Sequence, residues 1–334
     1  MIGRRRFLQG LTATLGAAAG THVEVVAAEA PPEVTRIRLM RMMLPAICLA
    51  PNYVAGELLR AEGFTDVEYV TLQTAGEAVN ALGAGRLDIA VVVAPQFPVL
   101  VDGGASAVVV AGLHGGCYEL FATGPVRSLH DLRGKRVSMH GRNTGTHAFL
   151  VSMLSHVGLD PNRDVTFVPL SSADGMRALR EGSTAAFLAF PPENQELRAA
   201  GVGRVIVNTG ADRPWSQYFC CMLAASRDFL NRHPVATKRA LRAILKANEM
   251  CAAEPDRVAR LLVDGGFAKP SEHLVPALRE LPYRRWRDSE PDDSVRFYAL
   301  RLHEAGLVKS TPKRILADAV DLRIWRELKR ELRV

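Results

Sequence analysis

The chain has 334 residues, 48% of them apolar, and a formal charge of +7 from 42 basic and 35 acidic side chains. That length exceeds one comfortable hydrophobic core, so two domains are expected, and the apolar share is ordinary for a globular protein. The basic residues are spread out, with no aromatic-interleaved stripe, which argues against nucleic acid as a partner; the small surplus suits solubility and attraction of an anionic ligand.

The chain opens with Arg4-Arg5-Arg6-Phe7-Leu8, a twin-arginine export pattern, and continues with an alanine-rich apolar stretch from Leu11 to Ala19. A positive start, a short apolar region and small residues beyond it mark a targeting segment, residues 1–30. Candidate cleavage patterns end at Ala19, Ala28 and Ala30. The apolar stretch is shorter than the roughly 20 residues of a membrane span, and no later segment reaches that length without a charge or a proline. The expectation is a soluble periplasmic protein exported by the twin-arginine route. Loss of residues 1–30 removes three arginines and two glutamates and leaves +6.

From Val34 to Val109 strands and helices alternate. Val34 to Leu39 alternates apolar and polar residues as a strand does, Ala50 to Glu62 has helical spacing, Val67 to Leu72 is a strand, and Gly76 to Leu82 a helix. Ile89 to Val93 and Ala107 to Ala111 are continuous apolar runs, the mark of strands buried on both faces. Pro95-Gln96-Phe97-Pro98 breaks the pattern between them. Such alternation predicts a parallel sheet flanked by helices.

The pattern restarts in the second half. A short helix closes at Gly134, and Arg136 to Met139 is a strand. The loop Gly141 to Thr146 opens a helix from His147 to Val157. Val165 to Leu170, Ala185 to Phe190 and Val205 to Asn208 read as strands, with helices at Gly175 to Arg180 and Glu193 to Ala200. The halves echo each other: Ala81-Leu82-x-x-Gly85 and Ala178-Leu179-x-x-Gly182 each end a helix on glycine before a buried strand. After Trp215 the composition turns helical, with helices at Val235 to Cys251, Arg257 to Val263, Val295 to Ala305 and Pro312 to Leu332. Pro282 to Asp293, charged and proline-containing, reads as a surface loop.

Five cysteines, Cys48, Cys117, Cys220, Cys221 and Cys251, leave at least one thiol unpaired. None shows metal-ligand spacing, and the adjacent Cys220 and Cys221 sit in an apolar run that reads as buried free thiols. No metal and no cofactor is expected.

In parallel α/β sheets ligands bind beyond the carboxyl ends of the strands. That rule selects Leu44, Pro45, Ala46 and Cys48, then Gln73, Pro95 and Gln96 in the first half. In the second it selects Arg142, Asn143, Thr144, Gly145 and Thr146, then Phe190 and Glu193. The Gly141 to Thr146 loop is the strongest of these. Its hydroxyls suit a helix cap, glycine lets a ligand approach the backbone, and a helix N-terminus attracts anions. Arg142 adds a guanidinium suited to carboxylate, sulfonate or phosphate. His114-Gly115-Gly116 falls where the halves join and suits a hinge, and Trp215 and Tyr218 are candidates for an apolar pocket wall. No Gly-x-Ser-x-Gly elbow and no His-Glu-x-x-His pattern is present. His114, His140 and His147 have no carboxylate or nucleophile partner by spacing, so no catalytic residue is assigned.

Three further stretches carry a resemblance: Ala81-Leu-Gly-Ala-Gly85-Arg-Leu-Asp88-Ile-Ala90, the Asp131 to Val137 run leading into Gly141 to Thr146, and Arg227 to Pro234. With the export signal, they make the chain similar to the periplasmic solute-binding proteins of ABC importers, in the nitrate/sulfonate/taurine and thiamine-pyrimidine-precursor group. The resemblance spans about Ile37 to Gly265. It implies a type II periplasmic binding protein fold: two Rossmann-like α/β lobes, a hinge of two crossing strands near Gly116 to Thr123 and Thr209 to Phe219, and extra C-terminal helices. Lobe 1 would take residues 31–123 and 209–334, and lobe 2 residues 124–208. The implied partners are a small-molecule ligand and an ABC permease of the inner membrane, with the binding protein a monomer. Many relatives carry a hydroxyl residue in the first loop, whereas Leu44-Pro-Ala-Ile-Cys48 is apolar. An organic anion or heterocycle therefore fits better than a small inorganic anion. The alternatives are an enzyme on the same scaffold related to pyrimidine-precursor synthesis, and a ligand-binding partner of a sensor.

Overall fold

The computed structural model describes residues 29–43 and 46–332, so the export pattern at residues 4–19, and Leu44 and Pro45 of the first candidate loop, lie outside the described residues. From Pro31 onward the chain forms one contact unit. Its strands, in chain order among the described residues, are β1 (Arg36–Met42), β2 (Asp66–Leu72), β3 (Ile89–Val93), β4 (Ala107–His114), β5 (Glu119–Ala122), β6 (Lys135–Met139), β7 (Val165–Pro169), β8 (Ala186–Ala189), β9 (Arg204–Asn208) and β10 (Cys221–Ser226).

They form two five-stranded sheets, ordered β2-β1-β3-β10-β4 and β7-β6-β8-β5-β9. The two orders are one pattern used twice. In each sheet the first three strands in space pair in parallel, and an antiparallel strand from the other half is inserted before the last. β5 follows β4 directly in the chain yet lies between β8 and β9. β10 follows β9 and lies between β3 and β4. Two mixed sheets flanked by helices and linked by exchanged strands give the two-lobe α/β fold expected from the sequence.

Strands covered on both faces need largely apolar side chains, and every residue of β4 and β10 is buried. Beneath them Asp88 is a buried carboxylate that takes a forked contact from Arg38. Arg38 Nη2 donates to Asp88 Oδ1 at 2.6 Å and Nε to Oδ2 at 3.1 Å, while the Arg38 amide donates to Oδ2 at 2.7 Å. That ties β1 to the entry of β3 and satisfies a charge that would otherwise be costly to bury.

The helix endings repeat as the strands do. Gly85 and Gly182 have φ of +66° and +72°, a region that side chains disfavour. The Arg86 amide donates to Ala81 O and the Ser183 amide to Ala178 O, closing equivalent left-handed caps at 2.8 and 3.0 Å.

Several sequence expectations need correction. β10 lies in a region expected to be helical; its apolar run Cys221 to Ala225 has no helical period, and its length suits a strand. The helix expected from Ala50 to Glu62 is divided into Ala50–Val54 and Gly56–Ala61. The supposed break at Pro95 to Pro98 begins the helix Gln96–Asp102, since a proline in a first turn costs no helical hydrogen bond. Pro282 to Asp293 is not all surface: Tyr283 and Trp286 lie on one side of a 3-10 turn, Tyr283–Arg287, and are fully buried. The Tyr283 hydroxyl donates to Ile47 O at 3.1 Å and the Trp286 indole donates to Glu249. The last helix is two, Pro312–Ala319 and Arg323–Glu331, because Val320 between them is extended and bridges to Val109 of β4. No helix of the described residues is long and apolar enough to cross a membrane.

Where the two connecting segments pass each other their backbones touch. The Tyr118 amide donates to Thr209 Oγ1 and the Thr209 amide to Tyr118 O, both at 2.9 Å. A Cβ placed on Gly116 would lie 2.0 Å from Thr209 O. Only glycine fits without displacing backbone. Gly116→Ala is therefore expected to destabilise the protein by about 1–3 kcal/mol, the usual cost of overpacking. Gly124→Ala, with open space around it, should change little. Urea unfolding midpoints of the two variants check this contrast.

Candidate functional site

The carboxyl ends of the parallel strands in the two sheets meet across a narrow seam. From the first lobe comes Gln96, buried at the start of the helix after β3; its Nε2 donates to Asn143 O at 2.6 Å. Gly76 leaves room for it, since a Cβ there would stand 2.9 Å from Gln96 Nε2. From the second lobe comes Gly145, whose added Cβ would lie 2.8 Å from Val93 Cγ1 at the end of β3 and 3.3 Å from the Tyr118 hydroxyl. At the strand ends the lobes are thus close enough for a direct hydrogen bond, and Gly145 leaves no room for a side chain against Val93.

The loop after β6 is organised by its hydroxyls. Thr144 caps the helix Gly145–His156, accepting from the His147 amide, and donates to Gly141 O at 2.6 Å. Thr146 is buried and accepts from the His140 amide at 3.2 Å. Asn143 takes φ of +60°, the left-handed region that asparagine tolerates best among residues with a side chain. Its amide donates to His147 Nδ1 at 3.2 Å. Burial, and then the charge of Arg142, holds His147 down to about 4, so the ring is neutral near pH 7 and its nitrogen is free to accept. With Thr144 taking the His147 amide, the Gly145 and Thr146 N–H groups are left outside the helical ladder, at the positive end of the helix. Arg142 itself is exposed beside them.

His140 and Glu193 form a pair that sequence spacing missed. His140 Nε2 lies 2.8 Å from Glu193 Oε1, and Glu193 Oε2 accepts the Phe190 amide at 3.2 Å. The His140 ring packs between Phe187 and Phe190, and its Nδ1 is buried without a partner. Fifty-three residues separate the two in the chain. The signal was nonetheless present, since each follows the end of one of two neighbouring strands, β6 and β8.

The other candidates lie as follows. Ala46 is half-buried and Pro95 buried. Gln73 is exposed, its amide donating to Glu77 Oε2 in the cap of the next helix. Phe190 packs against Tyr118. Trp215 is buried between His156 and Phe297, and Tyr218 stacks on Phe297 at 4.0 Å, so both rings face the helix Pro291–Glu304.

Beside the seam lies a cluster of sulfur. Cys48, Cys117, Cys220 and Cys221 are free and buried. Cys117 and Cys220 Sγ are 3.1 Å apart, and Cys221 Sγ lies 4.0 Å from Cys220 Sγ. Among the described residues, Cys48, His114 and Cys221 are a trio whose ligand atoms all fall within 4.8 Å of one another, although no sequence spacing pointed to a metal. Burial opposes charge on His114, but the Cys221 and Cys48 sulfurs outweigh it and lift the ring to about 10. Burial pushes the Cys117 thiol well up, whereas hydrogen bonds from Cys117 and Cys221 pull Cys220 down against its own burial.

The profile of the NMT1-like family matches residues 31–262. A bicarbonate-binding protein, CmpA, from a Synechococcus species is 26% identical over 124 residues, which are 36% of this chain and 27% of that protein. The match thus spans about a quarter of that relative's length. The periplasmic nitrate-binding protein NrtA from Synechocystis PCC 6803 superposes with a TM-score of 0.74 at 18% identity, covering 91% of both chains. The alkanesulfonate-binding protein SsuA from Xanthomonas axonopodis pv. citri, bound to MOPS, superposes with a TM-score of 0.68 at 18% identity, covering 87% of this chain and 99% of that one. Both share the two-lobe fold.

His147 makes a pH prediction. Its folded value, about 4, is below the usual 6.5, so between these pH values the unfolded chain binds a proton that the native state refuses. The contribution is complete above pH 6.5 and is lost as pH falls towards 4. Urea midpoints measured across that window should fall with pH in the wild type, with a shallower slope in His147→Gln.

Proposed function

Because this chain belongs to the NMT1-like family, we propose that it is an exported, periplasmic solute-binding protein that closes two lobes on a small organic anion or heterocycle and delivers it to an ABC permease. The lobes are residues 31–123 with 209–334, and residues 124–208. The observation that carries the reading is the seam itself. Strand ends from two sheets of identical order meet there, where Gln96 reaches Asn143 and Gly145 lies against Val93. A ligand that bridges both lobes at these strand ends shifts the population towards closure.

In this reading the anionic end of the ligand sits at the first turn of the helix Gly145–His156, where free N–H groups and the helix dipole favour negative charge. Arg142 supplies the clamp, Gln96 a directional hydrogen bond, and His140 with Glu193 a polar wall. The apolar body of the ligand lies against Phe190, Tyr118 and Val93. The names of the relatives support an anion: nitrate, bicarbonate and alkanesulfonate each carry negative charge. A sulfonate, a carboxylate or a pyrimidine-like heterocycle fits the apolar surroundings. The site binds without turnover, and no residue is assigned a catalytic role.

Native mass spectrometry of gently purified protein, followed by a thermal-shift panel of sulfonates, carboxylates and pyrimidines, tests this directly. A non-covalent adduct or a dose-dependent rise in melting temperature is expected. Failure of every anionic and heterocyclic compound to bind, or chemical turnover of one that does, would sink the reading. For a compound that binds, Arg142→Ala should weaken affinity; unchanged affinity removes the clamp.

Gly145→Ala gives an independent check of closure. Its methyl meets the stiff, β-branched Val93, so the variant should scatter with a larger radius of gyration and bind the ligand more weakly. Adding Val93→Ala should restore both.

A further inference from the structure

Cys48, His114 and Cys221 come from three separate elements: the turn Ile47–Leu49 after β1, the last residue of β4 and the first residue of β10. Strand register brings two of them together, because Cys221 pairs across from His114 on one side and Val93 on the other. The turn after β1 then lays Cys48 on top, with its carbonyl oxygen 3.1 Å from His114 Nε2. All three are buried, at 7%, 0% and 1% exposure.

The chemistry of this group is specific. Thiolate sulfur and imidazole nitrogen around one point, with no carboxylate among them, select a soft cation over magnesium or calcium. Bond lengths of zinc to sulfur and nitrogen imply a tetrahedron with edges of about 3.5–3.8 Å. The three ligand atoms already lie within 4.8 Å of one another, so small side-chain rotations complete the geometry. His114 has the second contact that metal-bound imidazoles usually make, with Nδ1 donating to the Gly115 carbonyl at 2.7 Å. A further sulfur is at hand, since Cys220 Sγ lies 4.0 Å from Cys221 Sγ and 3.1 Å from Cys117 Sγ.

We propose that Cys48, His114 and Cys221 form a binding site for a thiophilic closed-shell cation, Zn(II) or Cu(I), with Cys220 or Cys117 completing its shell. The ion would join the turn after β1 to β4 and β10 at the point where the chain leaves the first sheet. It would stiffen the base of the seam. The ion would be held by the turn after β1 and the adjoining ends of β4 and β10, not by the helix N-terminus or Gln96, so its binding is measured with no solute present.

The test uses the full-length chain, reduced and kept free of oxygen. Co(II) serves as the spectroscopic probe for Zn(II), and Cu(I) is titrated in competition with a chromogenic chelator. One equivalent should bind, with a thiolate-to-cobalt charge-transfer band that Zn(II) abolishes. Cys48→Ala and Cys221→Ala should each lose the band. His114→Gln should weaken binding by at least the roughly 10–100-fold that loss of an outer-shell partner costs. Cys251→Ala, a buried cysteine outside the trio, should bind as the wild type does. X-ray absorption of the Zn-loaded wild type needs no variant and should report sulfur together with nitrogen. Absence of stoichiometric binding of both ions, a shell of oxygen and nitrogen alone, or wild-type binding by the double variant Cys48→Ala/Cys221→Ala would overturn the proposal.

Discussion

Two stretches of backbone cross at contact distance, Gly116 against Thr209 and Gly210, and each then enters a sheet on the far side. Nearly everything else in the molecule depends on that crossing. A strand inserted antiparallel into a parallel sheet has to arrive from outside it, and here each sheet receives its insert from the other half of the chain. Neither sheet is complete without the exchange, because β10 pairs with both β3 and β4, and β5 with both β8 and β9. The lobes are therefore joined by main chain and hydrogen bonds at the crossing, and by packing of the helix Gly145–His156 on the helix Pro291–Glu304 beside it.

The crossing also gathers buried polar groups. Asn194 Nδ2 donates to Cys117 O at 2.8 Å, and Thr209 donates to Tyr118 O, so side chains take up carbonyls that the crossing leaves outside regular ladders. Glu119, raised by burial, is held by Arg198, which also reaches Glu280. Arg198 thus ties the second lobe to the C-terminal helices that pack on the first. Around the thiol cluster the same crowding gathers four sulfurs and one imidazole. They meet because β4 and β10 end together and the turn after β1 lies over them.

Much of the fold was legible in local pattern. Continuous apolar runs at β3 and β4 marked buried strands, and the paired Ala-Leu-x-x-Gly signatures marked the repeated helix-to-strand turn. The carboxyl-end rule then picked out Gln96, Asn143 and Gly145, which do meet across the seam. The rule works because helix N-termini and strand ends in a parallel sheet face the same way. Less legible was any contact between distant residues: His140 with Glu193, and Cys48 with His114 and Cys221. β10 was missed because the buried apolar run Cys221 to Ala225 carries no period, and Tyr283 and Trp286 because the charges between and beside them hid two core side chains on one turn.

By itself the sequence determined part of the local alphabet: the buried strands of each half, the repeated helix-to-strand turn, and one loop built to cap a helix beside an arginine. These follow from periodicity and from backbone preferences of single residues, which neighbours a few positions away are enough to express. Only the tertiary structure decided that each sheet borrows a strand, that Gly116 lies against Thr209, that Gln96 reaches Asn143, and that the cysteines gather on His114. Those depend on strand register and on the path of the crossing segments. Both are set by the packing of the whole chain, so residues as far apart in the chain as Cys48 and Cys221 become neighbours without leaving a mark in their spacing.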